Sequence, residues 1–180
     1  MALSPAQGLA VLRAAFGLYF VVSALNKLAT GWLTSGEPLT RFVGRNLEQS
    51  PAVYASFLDG MVLPNAMTFG QLVVLGELVA GLSLYLGLFT RLGGLVGAWL
   101  VLNFMLAKGL LNDAGSNDRL FFVACLTLGI ASAGLVWGLD GVLRTTLETN
   151  PLTRWLAGIP KPSRVQPTAA PVRPRQDRAA

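Results

Sequence analysis

Four apolar stretches, each close to the roughly 20 residues that a helix needs to cross about 30 Å of hydrocarbon, constrain this chain more than any other feature of it. The first runs from about Leu9 to Leu25, broken only by Arg13, and ends in Asn26 and Lys27. The second, Ala66 to Phe89, holds Glu77 as its single charge, and the third, Leu92 to about Leu111, carries Asn103 and, near its end, Lys108. The fourth, Leu120 to Leu139, has no charge at all. Only 13% of the 180 residues are charged and 53% are hydrophobic, with mean hydropathy +0.55, against roughly 25% charged in a soluble domain. The expected fold is therefore all-α: a polytopic membrane protein built as a four-transmembrane-helix bundle, with spans at about 7–27, 66–89, 92–111 and 119–140 inside a membrane domain at 1–144. A secretory signal is the alternative for the first stretch, since Arg13 would close its basic region and Val22, Ser23 and Ala24 offer a cleavage site.

Between the first two stretches, Ala29 to Asn65 contains Trp32, Phe42, Tyr54 and Phe57 among Arg41, Arg45, Glu48 and Asp59. Apolar and charged residues alternate at helical intervals around Leu39 to Leu47, which predicts an amphipathic interfacial helix in this loop, or a folded cap over the bundle. Only Thr90 and Arg91 separate the second and third stretches, so these form an antiparallel hairpin. Asn112 to Asp118 reads as a turn.

Histidine is absent and Cys125 is the single cysteine. Histidine-ligated haem, HExxH zinc sites, Ser/His and Cys/His pairs and CxxC relays are thereby excluded, so the expectation is no haem and no metal. The formal charge of +5 would suit nucleic acid, but seven of the fourteen basic residues lie from Arg144 onward. A cytoplasmic membrane flank accounts for them better, and no nucleic-acid partner is expected. Arg91 falls on that side, whereas Lys27, Arg41, Arg45, Lys108 and Arg119 flank the other; both termini are expected to be cytoplasmic. The segment 145–180 is basic and gathers six of the ten prolines, so most of it, beyond Pro160, is expected to be disordered. Trp155, beside Arg154, is suited to the headgroup layer.

Charges inside spans cost about 2.5–3.5 kcal/mol at a helix centre, so Arg13 and Glu77 call for partners. At 1.5 Å per residue Glu77 sits about 16 Å from either end of its span and Arg13 about 9 Å from the cytoplasmic end, a gap that a long arginine side chain can close. Asn103 reaches nearly the depth of Glu77. Arg13, Glu77 and Asn103 are thus expected to form one polar cluster, either a site for a polar head such as a quinone ring with Glu77 exchanging protons, or a buried ion pair that fixes helix register. Arg91 and Asp140 are expected to pair at the cytoplasmic end, where Asp140 with Arg144 would close the fourth span. Gly93/Gly97 and Gly134/Gly138 form GxxxG spacings, and Gly76/Ala80 a small-residue pair, all suited to close helix packing. Cys125 reads as a small packing residue.

The run "GELVAGLSLYLGLFTRL" from Gly76 resembles the central signature of the DoxX family, including its DoxD branch, while "LRAAFGLYFVVSALNKL" is similar to that family's first helix and Gly138 to Asp140, within "WGLD", to its closing motif. The resemblance covers about Leu9 to Asp140. It implies a four-helix protein of the bacterial inner membrane and, in the DoxD branch, a subunit of a thiosulfate:quinone oxidoreductase, with quinone as cofactor and a partner subunit, or a homo-oligomer, completing it. The alternative function is a non-catalytic membrane anchor or assembly subunit whose loop docks a partner through Trp32, Phe42 and Tyr54. A small transporter is a third option, for which four short spans leave little room without dimerisation.

Overall fold

A computed structural model describes residues 3–110 and 117–161 of the chain, which among these residues is helical with no strand. Helix α1 (Pro5–Ala29) begins with a capping box, in which Ser4 Oγ accepts from the Gln7 amide and Gln7 Oε1 from the Ser4 amide. Helices α2 (Glu37–Asn46) and α3 (Ala52–Phe57) follow. A π-turn over Leu58–Val62 and a tight 3₁₀ turn over Leu63–Asn65 then join α3 to α4 (Ala66–Leu86), so that the helical path runs from Ala52 to Leu86. Pro64 has no amide hydrogen to give to the ladder, which accounts for the loss of regular α geometry there.

Helix α5 (Thr90–Lys108) returns antiparallel to α4, and α6 (Asp118–Ile130) runs back along α5. The connection between α4 and α5 is Gly87–Phe89, with Thr90 and Arg91 already helical. Three short helices, α7 (Leu139–Val142), α8 (Arg144–Leu147) and α9 (Pro151–Leu156), close the described chain.

Three helical segments, Pro5–Ala29, Ala52–Leu86 and Thr90–Lys108, are long and apolar enough to cross a membrane. The fourth apolar stretch is not one helix, contrary to the expected span at 119–140. Helix α6 has 13 residues, a rise of about 20 Å, and beyond Ala131 the chain turns irregularly through Ser132 and Trp137, both at positive φ. Gly134 and Gly138 do not form a helix-packing motif; they sit in this irregular segment, where added side chains would overlap Asp140 and the Gly134 carbonyl respectively. Small residues that permit close helix contact also permit a chain to leave the helix, and here the second property is the one used.

The outward sides of the helices carry Leu18, Val22 and Leu25 on α1, Leu72 and Leu75 on α4, and Leu120, Val123 and Ile130 on α6, all exposed, as suits surfaces that face hydrocarbon. Inside, Phe20, Ala80, Leu84, Ala98, Cys125 and Leu128 form the main core. The sequence from α2 to the start of α4 folds onto one end of the bundle. Leu39 and Val43, four apart on α2, turn the same face inward and join Leu58, Val62, Ala66 and Ala107 in a second core. Trp32, Phe42 and Tyr54, partly buried, pack against that core. At the other end Leu147, Ala157 and Ile159 bury against Phe89 and Leu135, so the chain is folded as far as Ile159. The expected disorder beyond Pro160 and the turn at 112–116 lie outside the described residues, Lys161 and Pro160 apart.

Candidate functional site

The close crossing of α1 and α4 sets what each polar residue can meet. A side-chain carbon on Gly17 would overlap the Tyr85 backbone, and one on Gly81 would lie 2.8 Å from the Val21 amide nitrogen. These antiparallel contacts fix the register, in which each step along α1 is matched by one back along α4, so Glu77 comes opposite residues near 25. Lys27 Nζ donates to Glu77 Oε1 at 2.7 Å and to Ser23 Oγ at 2.9 Å, and Ser23 Oγ in turn donates to the same carboxylate oxygen at 3.0 Å. Lys27 also lies 5.4 Å from the Trp32 ring centre and 5.6 Å from that of Phe104, within cation–π range. Glu77 is 2% exposed, and its Oε2 has no hydrogen-bond partner among the described residues.

The expected Arg13–Glu77 pair therefore does not form. Arg13 lies 10 residues before Ser23, about 15 Å along the helix. Its Nη1 donates to Leu84 O at 2.7 Å and its Nη2 to Trp137 O at 3.0 Å, tying α1 to the end of α4 and to the irregular segment. Counting depth from the ends of apolar runs missed this because register is set by backbone contact at glycine, not by run length. Lys27, expected to flank the span, faces into it instead. Its i, i+4 spacing from Ser23 was the available sign that both share one helix face.

Asn103 joins neither charge. Its Oδ1 accepts from Tyr54 Oη at 2.9 Å, and its Nδ2 donates to Trp99 O at 2.7 Å. Both side chains line a cavity of about 370 Å³ formed by α2, the α3–α4 path and α5. Phe42, Tyr54, Phe57, Phe69, Trp99 and Phe104 supply its aromatic walls, Gly76 and Leu100 its inner side. Tyr54 and Asn103 are its polar side chains. The volume falls within the roughly 300–1,000 Å³ of small-molecule sites, which combine apolar walls with few polar points. Leu58 and Val62, the ends of the π-turn, also line it, so the departure from regular helix shapes the wall.

At the opposite end Asp140 does not pair with Arg91 or Arg144. It is fully buried, with Oδ1 accepting from the Phe89 amide at 2.8 Å and Oδ2 from the Thr90 amide and hydroxyl at 3.0 and 2.7 Å. Asp140 thereby caps the positive end of α5, whose first amides have no partner within the helix. Arg91 instead stands over the Trp155 ring, 5.5 Å from its centre, and Arg144 pairs with Glu148 at 2.6 Å. Lys108 and Asp118 join α5 to α6 with a 2.7 Å ion pair.

Among the described residues no three histidine, cysteine, aspartate or glutamate side chains gather as a metal site. The cavity, the Lys27–Glu77 pair and Arg13 all lie within residues 8–108, which match the profile of the DoxX family. No curated protein and no solved structure matches the chain. The match spans α1 through α5, more than half of the sequence, and with three apolar helices of membrane-crossing length it makes the chain a multi-pass membrane protein that belongs to the DoxX family.

Proposed function

We propose that this protein is the quinone-binding membrane subunit of an oxidoreductase, with thiosulfate:quinone chemistry the form that the DoxD resemblance implies and with the electrons delivered by a partner subunit. The cavity lined by Tyr54 and Asn103 carries this reading. A quinone supplies a flat ring with two carbonyl acceptors on an apolar tail, and accepts two electrons and two protons. Asn103 has one amide hydrogen committed to Trp99 O and a second left to donate to a ring carbonyl. Phe42, Phe57 and Phe69 offer apolar faces for the ring and the first tail units.

In this reading Glu77, with Lys27, holds the proton. Phe104 lines the cavity and its ring centre lies 5.6 Å from Lys27 Nζ, so the pair stands beside the cavity wall, and Glu77 Oε2 has no competing bond among the described residues. Arg13 ties the other end of α1 to α4 through Leu84 O, and so supports the site without touching it. Glu77→Gln is expected to lower quinone-dependent turnover of the complex about a hundredfold, the scale of lost acid–base assistance, while the amide oxygen still accepts from Lys27 and the protein stays folded. Unchanged turnover would make Glu77 a structural ion pair only.

Binding is tested separately with Trp99 as reporter, in a background where Trp32, Trp137 and Trp155 are phenylalanine. A short-tailed quinone should quench Trp99 saturably. Asn103→Leu should weaken the apparent affinity about fivefold, the worth of one hydrogen bond. Quenching that never saturates, or that ignores Asn103, would overturn the site. The second reading, a non-catalytic anchor, predicts that filling the cavity with Gly76→Phe leaves turnover intact. The quinone reading predicts its loss while partner assembly persists.

A further inference from the structure

The end of the bundle that carries Arg91 has an outer surface unconnected with the cavity. Residues 131–161 are fixed there: Leu147, Ala157 and Ile159 are buried against Phe89 and Leu135, Ser132 Oγ donates to Gly158 O, and Thr153 Oγ1 donates to Leu147 O at 2.8 Å. Outward, Leu152 is 62% and Trp155 49% exposed. Arg91 stands over the Trp155 ring, and Arg154 precedes it on α9. Neither arginine has a carboxylate partner among the described residues. Asp140 has both oxygens committed to α5, and Glu148 is paired with Arg144.

We propose that Arg91, Arg154 and Trp155 form a binding site for the phosphodiester of an anionic phospholipid, with Leu152 and the Trp155 ring against its acyl chains. Guanidinium groups present paired donors that match phosphate oxygens, and stacking on an aromatic ring orients one of them while leaving its edge free. Tryptophan and leucine exposed beside arginine at the end of the spans match the boundary between headgroups and hydrocarbon. The charge balance selects the lipid. Two guanidinium groups without a counter-charge favour a headgroup of net negative charge, and among the described residues no uncommitted carboxylate stands beside them to receive the ammonium of a zwitterionic one.

Native mass spectrometry of the full chain, titrated with phosphatidylglycerol or phosphatidylcholine, tests the site. The wild type should retain phosphatidylglycerol preferentially, and R91Q/R154Q should weaken that retention about thirtyfold, at the usual contribution of two basic residues near a membrane surface. R144Q, whose parent arginine is already paired, should behave as wild type. R91K/R154K keeps the charge and should keep the lipid preference, which separates lost binding from lost folding. Equal retention of phosphatidylcholine would overturn the proposal, as would an equal loss in R144Q. Thermal stabilisation by inorganic phosphate with none from phosphatidylglycerol would likewise overturn it, marking a free-anion site. None of these outcomes bears on quinone binding.

Discussion

Asp140→Ala is expected to lower the thermal midpoint of the detergent-purified protein by about 10 °C or more. Removal of the carboxylate leaves the amides of Phe89 and Thr90 and the Thr90 hydroxyl without their acceptor in a fully buried position. Each unsatisfied buried donor costs about 1–3 kcal/mol, so a loss of about 3–5 kcal/mol is a conservative sum, set against a total stability of roughly 5–15 kcal/mol. The turn being capped holds Phe89 at φ 51°, a left-handed backbone that is costly for a residue with a side chain, and Gly87 at φ +66°, where a side-chain carbon would strike the Arg13 guanidinium and lie 2.7 Å from Gly138 Cα. Asp140→Asn keeps one acceptor but turns donors toward donors, and about half the loss is expected. A midpoint within about 2 °C of wild type for the alanine variant would show that the carboxylate does not hold this turn.

Gly94→Val is expected to be comparably damaging, by about 3 kcal/mol, the upper part of the usual overpacking range. A side-chain carbon at Gly94 would stand 2.5 Å from the Gly129 amide nitrogen, 2.6 Å from Gly129 Cα and 2.7 Å from the Cys125 carbonyl oxygen. These are backbone atoms of α6 and cannot rotate aside, so the whole helix must move outward. That movement opens the core around Phe20, Ala98, Cys125 and Leu128. Gly44 on α2 is the contrasting case, because nothing lies within 4 Å of its added carbon. Gly44→Ala should stabilise by up to about 1 kcal/mol through helix propensity alone. Melting of the two variants side by side distinguishes packing from propensity: if Gly94→Val melts like Gly44→Ala, the α5–α6 contact is not a backbone contact.

Much of the architecture was legible in the sequence because burial in a bilayer demands it. Apolar runs of about 20 residues dictate helices, since a backbone in hydrocarbon must satisfy its own hydrogen bonds, and a connection of a few residues dictates an antiparallel hairpin. The GxxxG at Gly93 and Gly97 foretold a close contact, made against Ser83 on one side and against Cys125 and Phe20 on the other. The charges that needed partners, Arg13, Glu77 and Asp140, were also evident from the cost of placing them among apolar residues.

Which partner each one takes was not legible. Partner choice depends on register, and register follows from where two backbones touch: Gly17 and Gly81 bring Lys27 to Glu77 and leave Arg13 to the carbonyls of Leu84 and Trp137. The fourth stretch has the composition of a span, yet its helix ends at Ile130, and the segment that follows gives its Trp137 carbonyl to Arg13 and the Asp140 carboxylate to α5. Local composition cannot register a demand made by a helix 120 residues away. The cavity has the same origin, since its walls come from α2, the α3–α4 path and α5, and only their packing leaves the space that Tyr54 and Asn103 line. Sequence determined that this chain is helical and suited to a membrane, through the hydrophobic effect and the hydrogen-bond requirement of the backbone; tertiary structure alone decided which polar atoms meet, because contacts across helices depend on distances that no local pattern encodes.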